Sequence, residues 1–550
     1  MIRKLFLFVF AHLCALLQIY AQPFNIAPQQ YSNLLIDQKI NNKNSSFYSS
    51  IKPYNYLELQ HAFNYDSIAG KINIVTKSKF LRAILNYNSD TISYKTISVI
   101  AFPRMDLQYG NDFSSEKNLF ETGIGFSLRG HVKNYLAVSV DYISENSSYQ
   151  NYLDSSIHQS HIIPGQGYAY ATDLGHCSRN LDFYINYSVK KHFDFEFGKG
   201  RHFWGDGYRS LLLSDNSDSY LYFKISTNIW KIKYINLYAN FKDIRNTDGD
   251  LSKAANKYGA FHYLSWNVSK RINFSFFESI IWQAKDSSDT RGFDVSYLNP
   301  VIFYRPVEFS LDSPDNALMG FNLSVKAFRK QFFYGQLLLD DFIAAEVRKG
   351  FSHLMHPKDT TIQYGSWMNK QAFQLGVKSF DLFGIKDVNF QTEYNFVRPY
   401  TYSHRYIYES YTNFGQALAH PLGANFWESV SFLRYYYKRF FFEAKFLYAK
   451  IGYDSTGTHF GQNIFQPTFD TPVVGGNIVV NEYKNTVAQG IRTTLKYEDF
   501  NISYLISPDM NLMLTIGLTL RQQQSVIKTS NNSFVYIALR TSLFRHYSDF

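Results

Sequence analysis

Hydrophobic and polar residues alternate along most of this chain. From Asp182 to Lys190, Phe183, Ile185, Tyr187 and Val189 stand against Asp182, Tyr184, Asn186, Ser188 and Lys190. After Lys191-His192 the alternation resumes, with Phe193, Phe195 and Phe197 against Asp194 and Glu196. A period of two sends successive side chains to opposite faces of a strand, so each stretch predicts a β-strand with one apolar and one polar face, and the break predicts a tight hairpin turn. The doubled pattern recurs at Ile124/Phe126/Leu128 with Leu136/Val138/Val140 around Lys133-Asn134, and at Leu264/Trp266/Val268 with Ile272/Phe274/Phe276 around Lys270-Arg271. It returns at Phe373/Leu375/Val377 with Val388/Phe390/Tyr394, at Phe442/Ala444/Phe446/Tyr448, and at Leu512/Leu514/Ile516/Leu518/Leu520 with Val535/Ile537/Leu539.

Hairpins joined alternately by short turns and long loops are the build of an outer-membrane barrel, and in lipid such a sheet has to close so that every backbone group is paired. Segments between Tyr56 and Leu543 number roughly eighteen to twenty, and an even count is favoured in single-chain bacterial barrels. The expected fold is therefore all-β: a transmembrane outer-membrane β-barrel of roughly 18 antiparallel strands with lumen-filling loops. A soluble pair of β-sandwiches or a propeller is the competitor; no fixed repeat favours it. The alternation places Phe195, Leu514 and Ile516 toward lipid, and Glu196 and Thr515 toward a lumen that should tolerate arginine. Long loops are expected at 143–180, 284–318, 350–370, 399–427 and 451–487. The last strand is expected to stop near Leu543, ahead of a more polar His546-Tyr547-Ser548-Asp549-Phe550.

Composition agrees. Phe 50, Tyr 44 and Trp 6 far exceed what a soluble core requires and suit a lipid-facing band with aromatic girdles. The chain opens Met1-Ile2-Arg3-Lys4, runs apolar from Leu5 to Tyr20 and reaches Ala21-Gln22, which reads as a secretory signal peptide over residues 1–21. Its removal takes away Arg3 and Lys4 and no acids, lowering the formal charge from +10 to +8. Cys177 is then the only cysteine, so no internal disulfide is expected. Beyond residue 21 no run approaches the roughly 18 apolar residues of a membrane-spanning helix. Residues 22–53 read as a short polar, periplasmic segment, with a solvated turn at Asn41–Ser46 and one short helix from Gln29 to Asp37 below or inside the barrel. Residues 54–550 form the barrel.

The most distinctive stretch is Gly198–Asn216. It lies between two strand patterns and holds glycines that permit tight backbone turns, together with Arg201, Trp204, Asp206, Tyr208, Arg209 and Asp215. Cations, carboxylates and flat aromatic faces suit a polar or anionic glycan; packing inside the lumen as a brace fits equally well. The 143–180 loop carries His158, His161, His176 and Cys177, whose irregular spacing reads as solvated histidines rather than a zinc site. Nucleophile elbows, metalloprotease helices, phosphate loops and calcium loops are absent. The carboxylate pairs Asp340-Asp341 and Glu308/Asp312 are too ordinary in a polar lumen to imply glycosidase chemistry. The reading is a non-enzyme with no cofactor, no metal and no nucleic-acid partner.

Phe197-Gly198-Lys199-Gly200-Arg201, followed by Phe203-Trp204-Gly205-Asp206-Gly207-Tyr208-Arg209-Ser210-Leu211-Leu212-Leu213-Ser214-Asp215-Asn216, resembles the signature of the Wzi capsule-assembly family, and in particular its Bacteroidota branch with RemB-like gliding-motility proteins. Pro164-Gly165-Gln166-Gly167 and Asn299-Pro300, Arg305-Pro306-Val307-Glu308-Phe309 and Ser313-Pro314-Asp315-Asn316-Ala317 are similar to the same pattern, so the specific match spans about residues 160–330. The resemblance implies an outer-membrane β-barrel lectin that anchors capsular or other surface polysaccharide, inserted by the barrel assembly machinery. Residues 22–53 depart from the helical N-terminal bundle of enterobacterial members. The alternative is an outer-membrane channel or surface-complex subunit serving gliding motility or secretion. For the polysaccharide reading, Arg201, Trp204, Asp206, Tyr208, Arg209, Asp215 and Asn216 are expected to converge with Arg305, Glu308, Asp315 and Asn316 inside or at the mouth of the barrel.

Overall fold

A computed structural model describes residues 25–26, 36–63, 91–94 and 97–550, except 134, 191, 246, 248, 286–290, 302–314, 360, 469–480, 508–510 and 542–547. The alternating segments form one closed antiparallel barrel. Its first nine strands are β1 Ile97–Asp112, β2 Lys117–Val132, β3 Leu136–Ser147, β4 Gly175–Val189, β5 Phe193–Gly200, β6 Tyr220–Ile229, β7 Ile232–Asp243, β8 Ala255–Asn267 and β9 Ile272–Gln283. The remaining nine are β10 Asn316–Ala327, β11 Gln331–Leu339, β12 Gln371–Ser379, β13 Val388–Val397, β14 Phe426–Tyr437, β15 Phe440–Tyr453, β16 Ile491–Ser507, β17 Leu512–Ser525 and β18 Thr529–Arg540. Each pairs with the next, and β18 closes on β1 from Phe534↔Asp112 to Arg540↔Asp106. Eighteen strands is the even number that the pattern predicts.

Period two holds through the wall. In β17, Ile516 is 57% exposed while Thr515 is 8% exposed and exchanges a 2.8 Å hydrogen bond with Ser503 on β16. Leu514, Val535 and Ile537 line up on the outside beside Ile516, forming an apolar band suited to lipid. No described helix is long and apolar enough to cross a membrane; the wall crosses with strands. Alternate strand ends are joined by short turns, such as residues 230–231 and 438–439, and by long loops, which in barrels of this kind face the periplasm and the cell exterior respectively.

One loop is much shorter than expected because strands run further into it. Loop 143–180 contracts to 148–174, since Ile143–Ser147 pairs with His176–Asn180. It holds a helix over Asn151–Ser160. The last wall strand ends at Arg540, short of Leu543.

The inside is filled from both ends. Residues 36–63, with a helical turn at 36–40 and helix α1 over Tyr56–Phe63, block the short-turn end. Ile36, Ile40, Tyr54, Tyr56 and Leu59 cluster within this short segment, and polar contacts tie it to strand ends: Lys233 to Glu58 at 2.7 Å, Lys378 to Asp37 at 2.7 Å, Lys326 Nζ to the Ser45 carbonyl at 2.6 Å, and Asn267 to the Ser46 carbonyl at 2.6 Å. The expected helix begins at Gln29, and residues 29–35 lie outside the described residues; of it, 36–37 are helical. The signal-peptide reading also falls on residues that are not described. From the long-loop end, residues 201–219 and 398–425 turn inward and meet in an apolar centre. Leu211, Leu212 and Leu213 pack there with Phe261, Phe277, Leu318 and Leu338 from the wall, which explains an apolar triplet within a glycine-rich loop.

Candidate functional site

Segment 201–219 leaves β5, crosses the lumen and returns to β6. Phe203 and Trp204 pair with Lys52 and Ile51 of the N-terminal segment, and the Trp204 N–H donates to the Leu213 carbonyl at 2.8 Å. These short ladders satisfy backbone groups that a lumen crossing would otherwise leave unpaired. Gly207 is required at the innermost bend: a Cβ there would lie 2.2 Å from Glu393 Oε2. With the space free, the Glu393 carboxylate accepts from the Tyr208 and Arg209 N–H groups at 2.8 and 3.1 Å, capping the bend from β13.

Arg209 ends in the middle of the lumen. Its Nη2 lies 3.1 Å from Glu428 Oε1 on β14 and 3.0 Å from Asp549 Oδ1. Burial pushes the guanidinium down, but Asp549 and Glu428 more than offset this and hold it well above its ordinary range. Burial pushes the Asp549 carboxyl up, yet the Arg209 and Lys445 charges outweigh it and hold the group well below the usual carboxylate range. Tyr208 Oη donates to Asp549 at 2.9 Å and accepts from Lys445 Nζ at 2.9 Å. His420, 2.9 Å from Glu428, is held down by burial. The terminal residues 548–550 thus lie inside the barrel. Tyr152 Oη reaches the Ser548 carbonyl at 2.7 Å, and Arg521 Nε reaches the Phe550 carbonyl at 3.0 Å.

Beside this network lies a lumen cavity of about 310 Å³ whose lining includes Tyr208, Phe432, Arg434, Lys445 and Tyr497. Arg434 stacks 3.9 Å from the centre of the Phe432 ring and pairs with Glu443 at 2.6 Å. Flat faces beside cations and carboxylates form a surface able to stack on and hydrogen-bond to a sugar.

The remaining candidates are distributed differently. Trp204 is 0% exposed, enclosed by Phe261, Tyr263 and Phe277. Asp206 accepts from Ser49 at 2.5 Å and Asn322 at 3.1 Å. Arg201 lies 3.8 Å from Asp218. Asp215 is buried, and Asn216 donates to the Ala417 carbonyl at 3.1 Å. Asp315 is engaged away from segment 201–216: it accepts from Arg291 at 2.8 Å and Tyr297 at 2.6 Å, while Asn316 donates to the Glu409 carbonyl at 2.8 Å. Arg305 and Glu308 lie outside the described residues. What joins the two segments is loop 398–425: Tyr402 and Tyr411 donate to the Leu211 and Leu212 carbonyls at 2.8 and 2.7 Å, and the loop also receives Asn216 and Asn316. Its richness in tyrosine and histidine was visible in sequence; Glu393, Glu428, Lys445 and Asp549 carried no motif. Of the loop histidines, His158 and His176 approach Asp154, with His176 Nε2 at 2.9 Å, while His161 stacks on Tyr168.

No protein-family model and no curated protein matches this sequence. Among solved structures, Wzi, an outer-membrane protein involved in group 1 capsule assembly in Escherichia coli and a carbohydrate-binding β-barrel, is similar with a TM-score of 0.56 at 13% identity, covering 95% of this chain and 100% of that one. OccK8 (OprE) of Pseudomonas aeruginosa gives 0.42 at 8% identity, over 80% of this chain and 97% of its own. OccAB2 of Acinetobacter baumannii gives 0.42 at 9% identity over the same shares. The likeness to Wzi shows the fold, and the closed barrel is an outer-membrane protein.

Proposed function

We propose that this barrel holds capsular or another extracellular polysaccharide at the cell surface, as the sequence resemblance to the Wzi capsule-assembly family implies. The observation that carries this reading is a lumen obstructed at both ends yet keeping an internal surface of aromatic and charged groups. Residues 36–63 fill one end, and segments 201–219 and 398–425 meet across the other. Such an interior suits retention better than diffusion of small solutes. Tyr208 with Lys445 and Arg434 is the interior surface able to contact sugar; Arg209, Asp206, Asp215 and Asn216 hold the crossing segment in place, and Trp204 packs it to the wall. Asp315 and Asn316 stand at the long-loop end of the wall, where they hold the loops around the exterior mouth in this reading. Placement in the Bacteroidota branch with RemB-like proteins rests on the Gly198–Asn216 signature alone.

The test is a deletion strain complemented with wild type, Lys445→Gln or Arg434→Gln. Wild type should retain polysaccharide on cells; a variant that assembles in the outer membrane yet sheds polysaccharide into the medium supports the site. If the deletion strain retains polysaccharide like its parent, the reading fails, and a surface-complex role in gliding or secretion takes its place. Ion conductance of the purified barrel in a planar bilayer would instead establish a channel.

A further inference from the structure

Three carboxylates on three consecutive strands meet on the lumen face of β1, β2 and β3. Asp106 and Glu145 are both register partners of Gly123, so they flank a residue with no side chain. A Cβ at Gly123 would lie 3.0 Å from Glu145 Cγ and 3.2 Å from Asp106 Cβ. Glu121, two residues earlier on β2, completes the group, and each of the three offers an oxygen within 4.8 Å of the others. Oxygens about 2.4 Å from a shared calcium ion can be no further apart than about 4.8 Å, so this spacing fits one ion.

Local cations do not satisfy the group. Arg540 spends its donors on Asp106 at 2.7 Å, Glu121 at 3.2 Å and Gln108 at 2.7 Å. Glu145 is 1% exposed, and neither of its carboxylate oxygens has a hydrogen-bond partner among the described residues. Arg201 faces it electrostatically from beyond hydrogen-bond reach. With all three acids ionised, the one guanidinium in contact would leave two negative charges, and an unpaired charge buried in this way is costly. A divalent cation balances them.

We propose that Asp106, Glu121 and Glu145 bind a calcium ion in the lumen, beside the β18–β1 seam. An all-oxygen, carboxylate-rich donor set selects a hard cation, and calcium accepts irregular geometry of this kind more readily than magnesium. Asp106 and Glu121 line the lumen cavity, which leaves room for water ligands on the ion. The site is independent of the polysaccharide reading.

Full-length protein in detergent, stripped with EDTA and dialysed, is titrated with CaCl₂ by calorimetry and with Tb³⁺ by luminescence, Tyr149 serving as a nearby sensitiser. One saturable site per chain is expected, weakened about tenfold or more in Glu145→Gln and unchanged in Glu116→Gln at the exposed β1–β2 turn. Absence of saturable binding up to about 1 mM, or wild-type affinity in Glu145→Gln, overturns the proposal. If Glu145→Gln does not assemble, wild type decides alone: calcium should raise its unfolding temperature and EDTA should reverse the rise, and no shift overturns the site.

Discussion

Arg209 and Asp549 meet at 3.0 Å in the centre of the lumen, each 1% exposed, so that a loop bend and the final residues of the chain form a single ion pair. Glu428 shares the guanidinium, and Lys445 and Tyr208 share the carboxylate.

Removing one charge from such a pair leaves the other buried and uncompensated. Asp549→Asn should lower stability by about 3 kcal/mol, at the lower edge of losses seen when buried pairs are broken. Chemical unfolding followed by loss of heat-modifiable migration measures it. A double-mutant cycle with Lys445→Gln should show coupling of about 1 kcal/mol or more; strict additivity would mean that the two do not interact in solution.

Substitutions to arginine separate the two faces of the wall. Ile516→Arg should cost about 2–4 kcal/mol if the site lies near the bilayer midplane, whereas Thr515→Arg, pointing into the cavity, should assemble. The simple lumen rule fails at Glu196. Its carboxylate accepts from Lys224 at 2.6 Å, Tyr222 at 2.6 Å and Asn25 at 2.8 Å, so Glu196→Arg would set two cations together and should block assembly. Yield in the outer-membrane fraction checks all three.

The wall was legible because lipid enforces one rule on every strand: apolar outward, alternate residue inward. Ile516 and Thr515 obey it without reference to any other part of the chain. What an inward residue meets is set by the order of strands around a ring and by which loops fold inside, and neither leaves a local mark. Glu428 and Asp549 therefore gave no signal, and Asp315 found Arg291 rather than an arginine of segment 201–216. The burial of residues 36–63 was equally hidden: Ile36, Ile40, Tyr54, Tyr56 and Leu59 cluster without a regular period, and the lysines at strand ends that bond to the segment leave no mark in it. The crossing segment itself was recognisable, its glycines and leucine triplet being demanded by a tight path through a packed centre.

Gly207→Ala tests that path. The added methyl would collide with the Glu393 carboxylate, displacing the cap on the Tyr208 and Arg209 N–H groups. A loss of about 2 kcal/mol is expected from overpacking, with faster proteolysis inside segment 201–219.

Acid should loosen the same segment. Burial, reinforced by the Lys224 charge, pushes the His202 imidazole down to about 3 from 6.5. The folded form stays neutral while the unfolded chain takes up a proton, so stability falls as pH drops from about 6.5 toward 3, by up to about 1.4 kcal/mol per pH unit. Asp549 acts in the same direction lower down: its depressed folded value contributes stability above about pH 4 that is lost on further acidification. Unfolding midpoints should fall between pH 6.5 and 4, and His202→Phe should reduce that slope, leaving the share that the other buried imidazoles, His404 and His420, contribute in the same direction.

Ser548–Phe550 and residues 36–63 both sit within the ring that β18 and β1 close. The joining of those two strands is therefore also a sealing step. Either the two tails are gathered on the inner side before the seam zips, or they thread in afterwards through the short-turn mouth. In both routes, contacts such as Lys378 with Asp37 and Tyr152 with Ser548 join residues more than three hundred positions apart and bear the loop-closure entropy of that separation, which makes the maturation of the interior slower than the formation of any hairpin in the wall.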